Sequence, residues 1–355
     1  MRIRLIGQRN NLGVGIHYSA FCDAIRQYIG IGHLVDEVDF TNQQIVEHAI
    51  QTSAPDDVNI SFVSGNIHEL FRGHNIQWIV FESDKIPSKI MPNLEHADSV
   101  WVPSAWGNRV LVANGISPDK IHVVPEGVDP SAYNIWSRPK QHRPYRFLFV
   151  GKYEQRKSWS EVLDAFARAW NNSPEVELVF KTHLVSEDDS MAEFEQKVSD
   201  LGLTNIHVVV GAVDYMQHLY TVCDALLAPT KGEAWGLPII EAAASGLPII
   251  TTNYSGHTEY LQHITNSVVP VDYQLGPIQC PIYQSHYPEP DNNWGQWAMP
   301  DVDNLAEAMV LCKDNTEMLT ENALKNSKVI RTQFNWQNSV DTAIETLKNQ
   351  GLLFG

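Results

Sequence analysis

Two glutamates with seven residues between them, Glu233 and Glu241, stand in the stretch TKGEAWGLPIIEAAASGLPIITT, Thr230 to Thr252. The preceding ALLAPT reads as a strand ending at a loop. Pro238 suits the first turn of a following helix, where its missing N–H costs nothing. Glu233 then lies before the helix and Glu241 about one turn inside it. The amides of Trp235, Gly236 and Leu237 become donors without intrahelical partners at a positive helix end, suited to phosphate oxygens. A carboxylate fixed beside them can accept hydrogen bonds from sugar hydroxyls. A second group of charges, Lys152, Arg156 and Lys157, lies in GKYEQRKSW directly after the strand-like RFLFVG. Three cations on one loop of an acidic chain make a place for a polyanion. A third element, Gly13 and Gly15 ahead of a helical stretch, allows close backbone approach and an anion at the helix N-terminus. It is not a dinucleotide fingerprint, because Tyr18 stands where the third glycine belongs. Each feature has a plainer reading: a glutamate complementing the helix dipole, a solvated charge run, a tight turn. The joint reading rests on all three occurring in one chain.

The elements that must position these residues repeat. IRLIG reads as a buried strand, QRNNLGVG as a loop and IHYSAFCDAIRQYI as a helix; after the polar WSRPKQHRPY the same order returns as RFLFVG, KYEQRK and SWSEVLDAFARAW. Further strands are expected at VNISFV, IQWIVF, SVWVPS and IHVVP in the first half. In the second they are expected at VELVFKT, IHVVVG, ALLAPT and LPIITT. Strands alternating with helices predict parallel sheets built from right-handed crossovers. The fold expected is α/β, two Rossmann-like open-sheet domains joined near residues 130 to 145 and facing across a cleft. The segment 273–300, rich in Pro, Tyr, Trp and Gly, reads as a long surface excursion, and FNWQNSVDTAIETLKNQ as a final helix. Ligands of open α/β sheets bind at the carboxyl ends of the strands. That rule singles out Glu82 and Asp84 as well, since they follow IQWIVF.

At 355 residues with 43% hydrophobic and 19% charged residues, the chain is long enough for two cores. The net charge of −17 argues against a nucleic-acid partner, which clustered Lys and Arg would hold. Cys22, Cys223, Cys280 and Cys312 are widely spaced, pointing to a reducing compartment rather than a disulfide framework. MRIRLIG has no long apolar core, and no run approaches the roughly 20 apolar residues of a membrane span, so the expected location is the cytoplasm.

GEAWGLPIIEAAASGLPII resembles the glutamate, seven residues, glutamate signature of the family-4 retaining glycosyltransferases, glycosyl transferases of group 1 with the GT-B fold. FLFVGKYEQRKSW is similar to that family's strand and phosphate loop. VWVPSAWGNRVL and GISPDKIHVVPEGVDP are similar to its interdomain approach, and TTNYSGHTEYL to the loop after the signature helix. The resemblance implies an acceptor-side domain over 1–137 and a nucleotide-sugar domain over 138–330. The helical segment 331–355 is expected to pack back on the first domain. It also implies roles. Lys157 matches the pyrophosphate-binding lysine, and Lys152 stands where an arginine is usual, keeping the charge without the planar fork. Glu241 matches the glutamate that takes the ribose hydroxyls. Glu233 with the amides of Ala234, Trp235, Gly236 and Leu237 matches the element holding the donor sugar, and Gly15 the first-domain glycine near the phosphates. Where the family often has an acceptor-side histidine, this chain offers Glu82 and Asp84.

The implied reaction is metal-independent transfer of a hexosyl group, with retention, from a nucleoside-diphosphate sugar to a hydroxyl of a glycan or lipid-linked glycan in polysaccharide or glycoconjugate biosynthesis. No cofactor is expected, and peripheral contact with the inner face of a membrane would come through the acceptor. Asp303 in the carboxylate pair DVD is expected to cap a helix rather than bind metal. A sugar-nucleotide epimerase of the same fold, and a noncatalytic nucleotide- or glycan-binding protein, remain open alternatives.

Overall fold

The computed structural model describes residues 1–28, 30–63, 71–135, 143–183, 191–213 and 215–353. The expected boundary at 137/138 lies outside them. The chain divides into two units, one formed by Met1–Gly127, Ile278–Gly295 and Phe334–Gly355, the other by Val128–Pro277 and Gln296–Gln333.

The first unit is built on six parallel strands, β1 (Ile3–Gly7), β2 (Val35–Asp39), β3 (Val58–Ser61), β4 (His74–Trp78), β5 (Ser99–Val102) and β6 (Ile121–Val123), in the order β2-β1-β3-β4-β5-β6. The apolar run of β1 is buried along its whole length, as parallel strands covered on both faces must be. Arg4 is buried within it, its charge met by Asp57 at 2.5 Å and the Thr52 carbonyl at 3.1 Å. The helices are α1 (Gly13–Arg26), α2 (Gln43–Gln51), α3 (Met91–His96) and α4 (Ala105–Ala113). Phe21, Phe62, Trp78 and Trp101 pack edge to face or tilted with centroids 4.8 to 5.9 Å apart, a geometry that suits the ring quadrupoles.

The second unit repeats the plan with β7 (Tyr145–Lys152), β8 (Val176–His183), β9 (Ile206–Val210), β10 (Ala225–Ala228), β11 (Ile249–Thr252) and β12 (Val268–Val271), all parallel, ordered β12-β11-β10-β7-β8-β9. Its helices are α5 (Trp159–Trp170), α6 (Ala192–Asp200), α7 (Met216–Val222), α8 (Leu237–Ala244) and the short α9 (Thr258–Leu261). The segment expected as a surface excursion is partly regular. β13 (Tyr273–Pro277) pairs antiparallel with β14 (Gln296–Pro300) in the second unit. Between them, α10 (Pro281–His286) and the residues up to Gly295 belong to the first. α11 (Val302–Asp314) and α12 (Thr316–Gln333) follow in the second unit, and α13 (Trp336–Asn349) packs on α1 in the first. A Cβ on Gly127 would meet the Trp336 amide nitrogen at 2.3 Å, so only glycine allows the backbone to pass the start of α13 there.

The capping expectation for Asp303 is corrected. Asp301 is the N-cap of α11, its Oδ1 accepting from the amides of Asp303 and Asn304 at 2.9 and 3.0 Å. Its extended backbone is the conformation a cap requires, whereas Asp303 is already in the first turn. Asp303 pairs instead with Arg168. Within the two parallel sheets, β2 and β12 are strands that the sequence pattern does not mark. VDEVD is mostly polar and VVPV carries Pro270, both features that an edge strand tolerates and a central one does not.

Candidate functional site

Counted within the second unit, the strands run 3-2-1-4-5-6, with the order reversing between β7 and β10. Loops leaving the carboxyl ends of strands at such a switch point diverge and leave a crevice between them. Lys152 ends β7, and the two loops carry Tyr153 to Lys157 and Thr230 to Gly236.

They meet through one carboxylate. Glu233 accepts from Lys157 Nζ at 2.5 Å and from Thr230 Oγ1 at 2.9 Å, with Arg156 Nη1 at 3.2 Å from its second oxygen. Burial opposes the Glu233 charge, but the Lys157 ammonium and the Arg156 guanidinium overcome it and hold the carboxyl at about 2. For Lys157 the balance goes the other way, and burial keeps its ammonium below the usual range despite Glu233. Lys157 reaches this position from a 3-10 turn, Gln155–Lys157, that runs into Ser158 with a left-handed φ of 58°. Its stem crosses Gly151, where an added Cβ would lie 3.1 Å from Lys157 Cγ. Lys152 stays apart, 38% exposed, its Nζ 3.6 Å from Glu154.

The backbone around Glu233 is clamped by the loop after β11. Ser255 Oγ accepts from the Glu233 amide at 2.8 Å, and the Gly256 amide donates to the Glu233 carbonyl at 2.8 Å. A Cβ on Gly256 would fall 1.8 Å from the Ala234 carbonyl oxygen, so the approach requires glycine. Tyr260 donates to the carbonyls of Trp235 and Gly236 at 3.1 and 3.0 Å. Gly236, with φ 88°, turns the chain into α8, whose first turn holds Leu237 and Pro238 and has no side-chain cap. His257, fully buried, bonds the Thr252 carbonyl through Nε2 at 2.7 Å, and burial holds its pKa down.

Glu241 is in α8 one turn on. Tyr220 of α7 donates to its Oε2 at 2.7 Å, and Tyr133 hydrogen-bonds the same carboxyl. Burial raises Glu241 to about 7, against the pull of these two hydroxyls. Glu233 and Lys157 are thus in direct contact, while Lys152 and Glu241 have other partners.

Gly15, Glu82 and Asp84 lie in the first unit. Gly15 is in the first turn of α1, beside the reversal of strand order at β1, and a Cβ there would meet Asn10 Oδ1 at 2.1 Å. Asn10 itself accepts from the Leu12 amide at 2.9 Å, so this glycine accommodates a side-chain-closed turn. β4 ends at Trp78, earlier than expected, so Glu82 and Asp84 follow a short extended passage. Both are half-buried. The segment 287–295 lies over them: a Cβ on Gly295 would fall 2.5 Å from Asp84 Oδ1, and the Glu82 charge acts with burial to raise the Tyr287 pKa. The same segment is anchored by Glu289, which accepts from the Ser88 amide at 2.7 Å and hydroxyl at 2.6 Å, and by Asp291, 2.9 Å from Lys85. No metal-type group of three or more His, Cys, Asp or Glu occurs among the described residues.

Thr230, Ser255, Tyr133 and Tyr220 were not anticipated as site residues. Arg156 was noted only as part of a charge cluster. The loop SGHTEY carried a signal in its Ser-Gly turn, whereas the tyrosines meet Glu241 from distant segments and carried none.

Residues 133–273, which contain Lys157, Glu233, Glu241 and their partners in the second unit, match the family described as glycosyl transferases group 1. Solved structures align along nearly the full chain. Anabaena HepE in complex with UDP-glucose superposes with a TM-score of 0.72 at 15% identity, over 98% of this chain and all of that one. The fold is GT-B. Among curated relatives, a putative glycosyltransferase 45 of Sulfolobus islandicus filamentous virus is 27% identical over 192 residues, 53% of this chain and 51% of the relative. The lipopolysaccharide glucosyltransferase WaaG of Escherichia coli is 28% identical over 156 residues, 41% of this chain and 40% of the relative. The chain thus spans about half the length, or less, of the curated relatives it matches. No described helix of this GT-B chain is long and apolar enough to cross a membrane.

Proposed function

We propose that the chain is a retaining glycosyltransferase. It moves a hexosyl group from a nucleoside-diphosphate sugar to a hydroxyl of a glycan or lipid-linked glycan in polysaccharide or glycoconjugate biosynthesis. The observation that carries this reading is the meeting of Lys157 and Glu233 at the switch point of the second sheet, with Glu241 one turn into the helix that follows. The HepE complex with UDP-glucose supports a UDP-sugar as the first donor to test.

In this reading Lys157 and Lys152 neutralise the diphosphate as it leaves, and the amides of Ala234 to Leu237 at the uncapped start of α8 hold its oxygens. The Glu233 carboxylate, kept ionised by Lys157 and Arg156, orients Lys157 and accepts from donor-sugar hydroxyls. Glu241 accepts from the ribose hydroxyls. The departing phosphate oxygen takes the acceptor proton on the face it leaves, which gives retention without a protein nucleophile and without a metal. Positioning and charge stabilisation are the protein's share. Glu82 serves the acceptor side, with Asp84 beside it. A lipid-linked acceptor would bring the chain to a membrane surface. The four cysteines, all free and buried, fit a reducing compartment such as the cytoplasm.

The test is a thermal-shift panel of UDP-, GDP- and ADP-sugars, followed by incubation of the stabilising donor with candidate glycan acceptors and NMR of the product. A new linkage of the donor's own anomeric configuration is expected. An inverted linkage overturns retention, an epimer formed without acceptor makes the chain an epimerase, and tight binding without turnover makes it a binding protein.

A further inference from the structure

We propose that Tyr133 and Tyr220 are positioning residues for nucleotide binding: together they clamp the Glu241 carboxyl so that its remaining lone pairs face the ribose diol. This rests on the reading of Glu241 as the ribose ligand. A carboxylate offers about four acceptor positions. Tyr220 takes one at 2.7 Å and Tyr133 another, leaving enough for both ribose hydroxyls. The clamp is itself built. Tyr220 is fully buried in α7, and the two rings pack edge to face with centroids 5.8 Å apart. Arg331 of α12 fixes the Tyr133 backbone, with Nη1 3.5 Å from its carbonyl and 2.7 Å from that of Ala244 at the end of α8.

The two hydroxyls have an electrostatic task as well. Burial alone favours a neutral Glu241, and hydrogen bonds donated to the ionised form oppose it. Both phenols are held protonated far above neutrality by burial and by the Glu241 charge, so they remain donors. Few other charges face this carboxyl. The strands beneath α8, ALLA and IITT, bring no titratable group. From α7, His218 packs with Tyr215. Arg331 reaches α8 from α12 at the Ala244 carbonyl, and Asp129 acts on Tyr133. Tyr260 acts on Tyr220.

The experiment titrates the full-length chain and its Tyr220→Phe variant with UDP, GDP and ADP by calorimetry from about pH 6 to pH 9, using the diphosphate that binds most tightly. Losing one hydroxyl raises the Glu241 pKa. A rise of about one unit from about 7 cuts its ionised fraction at pH 7 from about a half to about a tenth. Affinity at pH 7 should therefore fall about fivefold, with the gap closing by about pH 9. Titration of the nucleotide phosphates is common to both proteins and cancels in their ratio. In a Glu241→Gln background the tyrosine substitution should add no pH-dependent loss. Tyr133→Phe should behave alike, and stands in should Tyr220→Phe fail to fold. A gap constant with pH, or no gap, overturns the clamp. Unchanged affinity in Glu241→Gln alone overturns the ribose reading instead, and a wild-type chain that binds none of the three diphosphates overturns the donor reading.

Discussion

Replacing Lys157 with methionine keeps the stem over Gly151 but removes the charge that lies 2.5 Å from Glu233. Glu233 is 7% exposed, and its carboxyl is held at about 2 against an ordinary 4.5. At 1.36 kcal/mol per unit this corresponds to about 3 kcal/mol of favourable charge interaction, which Lys157 and Arg156 supply against burial, Lys157 the more strongly. Arg156 and Thr230 remain in the variant, so the loss of stability at pH 7 should be about 2 to 3 kcal/mol, below the 3 to 5 typical of a fully orphaned buried charge. The sign with pH follows. A depressed carboxyl stabilises fully above its unfolded pKa and loses that stabilisation as pH falls through its folded value, so the gap between wild type and variant should shrink between about pH 4.5 and pH 2. The ammonium tells the opposite story, because burial leaves its pKa low, and charging it costs free energy at pH 7. The pair is therefore worth less than the carboxylate alone suggests. Lys157→Met with Glu233→Gln should be more stable than Lys157→Met. Urea unfolding followed by tryptophan fluorescence measures all three proteins. A single variant as stable as wild type, or a double variant less stable than the single, would refute the reasoning. In calorimetry, Lys157→Met should also weaken the nucleoside diphosphate about 10- to 100-fold, the worth of a hydrogen bond from a charged group.

Glu241→Ala should weaken the same diphosphate roughly 10- to 100-fold by calorimetry, with unchanged circular dichroism. Transfer should persist in excess EDTA; complete loss restored by manganese would show that a metal, not lysines and helix amides, neutralises the diphosphate. Glu82→Gln should slow transfer to the acceptor while leaving nucleotide titrations nearly unchanged, and a wild-type transfer rate would remove Glu82 from the acceptor side. Asp301→Ala should cost about 1 kcal/mol in urea unfolding, as loss of an N-cap does. Asp303→Ala, which breaks only an exposed pair with Arg168, should cost less.

The parallel sheets were legible because their central strands, such as IRLIG and ALLA, are apolar runs buried on both faces. The edge strands β2 and β12 were not, since an edge relaxes that demand. Glu233 could be read as a candidate site residue because Gly236 and Pro238 announce a tight strand-to-helix turn, and such a turn after a strand is where an open sheet binds ligands. Lys157 stood out only as part of the charge cluster after RFLFVG, and its role, like that of Glu241, came from the family resemblance. What periodicity could not supply was pairing across the chain. The ion pair between Lys157 and Glu233, the Ser255 and Gly256 clamp, and the tyrosines on Glu241 all join residues from segments far apart in sequence. Asp301 and Asp303 lie two positions apart, within the uncertainty of a helix boundary read from sequence.

The first unit is assembled from three separated stretches, and this bears on how the protein acquires its structure. Residues 1–127 form its sheet, yet Trp336 stacks on the buried His17 at 5.6 Å and the start of α13 closes over Gly127. Glu289 supplies the partner for the Ser88 amide. A chain emerging from the ribosome exposes that aromatic core until some two hundred residues more have been made, and the second unit has all its strands before the first is covered. Expressed alone, residues 1–127 should be a sticky, incompletely buried fragment, whereas a circular permutant carrying 334–353 ahead of Met1 would place α13 beside α1 from the start. Long sequence separation between partners delays their closure, so in this protein the unit that is synthesised first is the last to be finished.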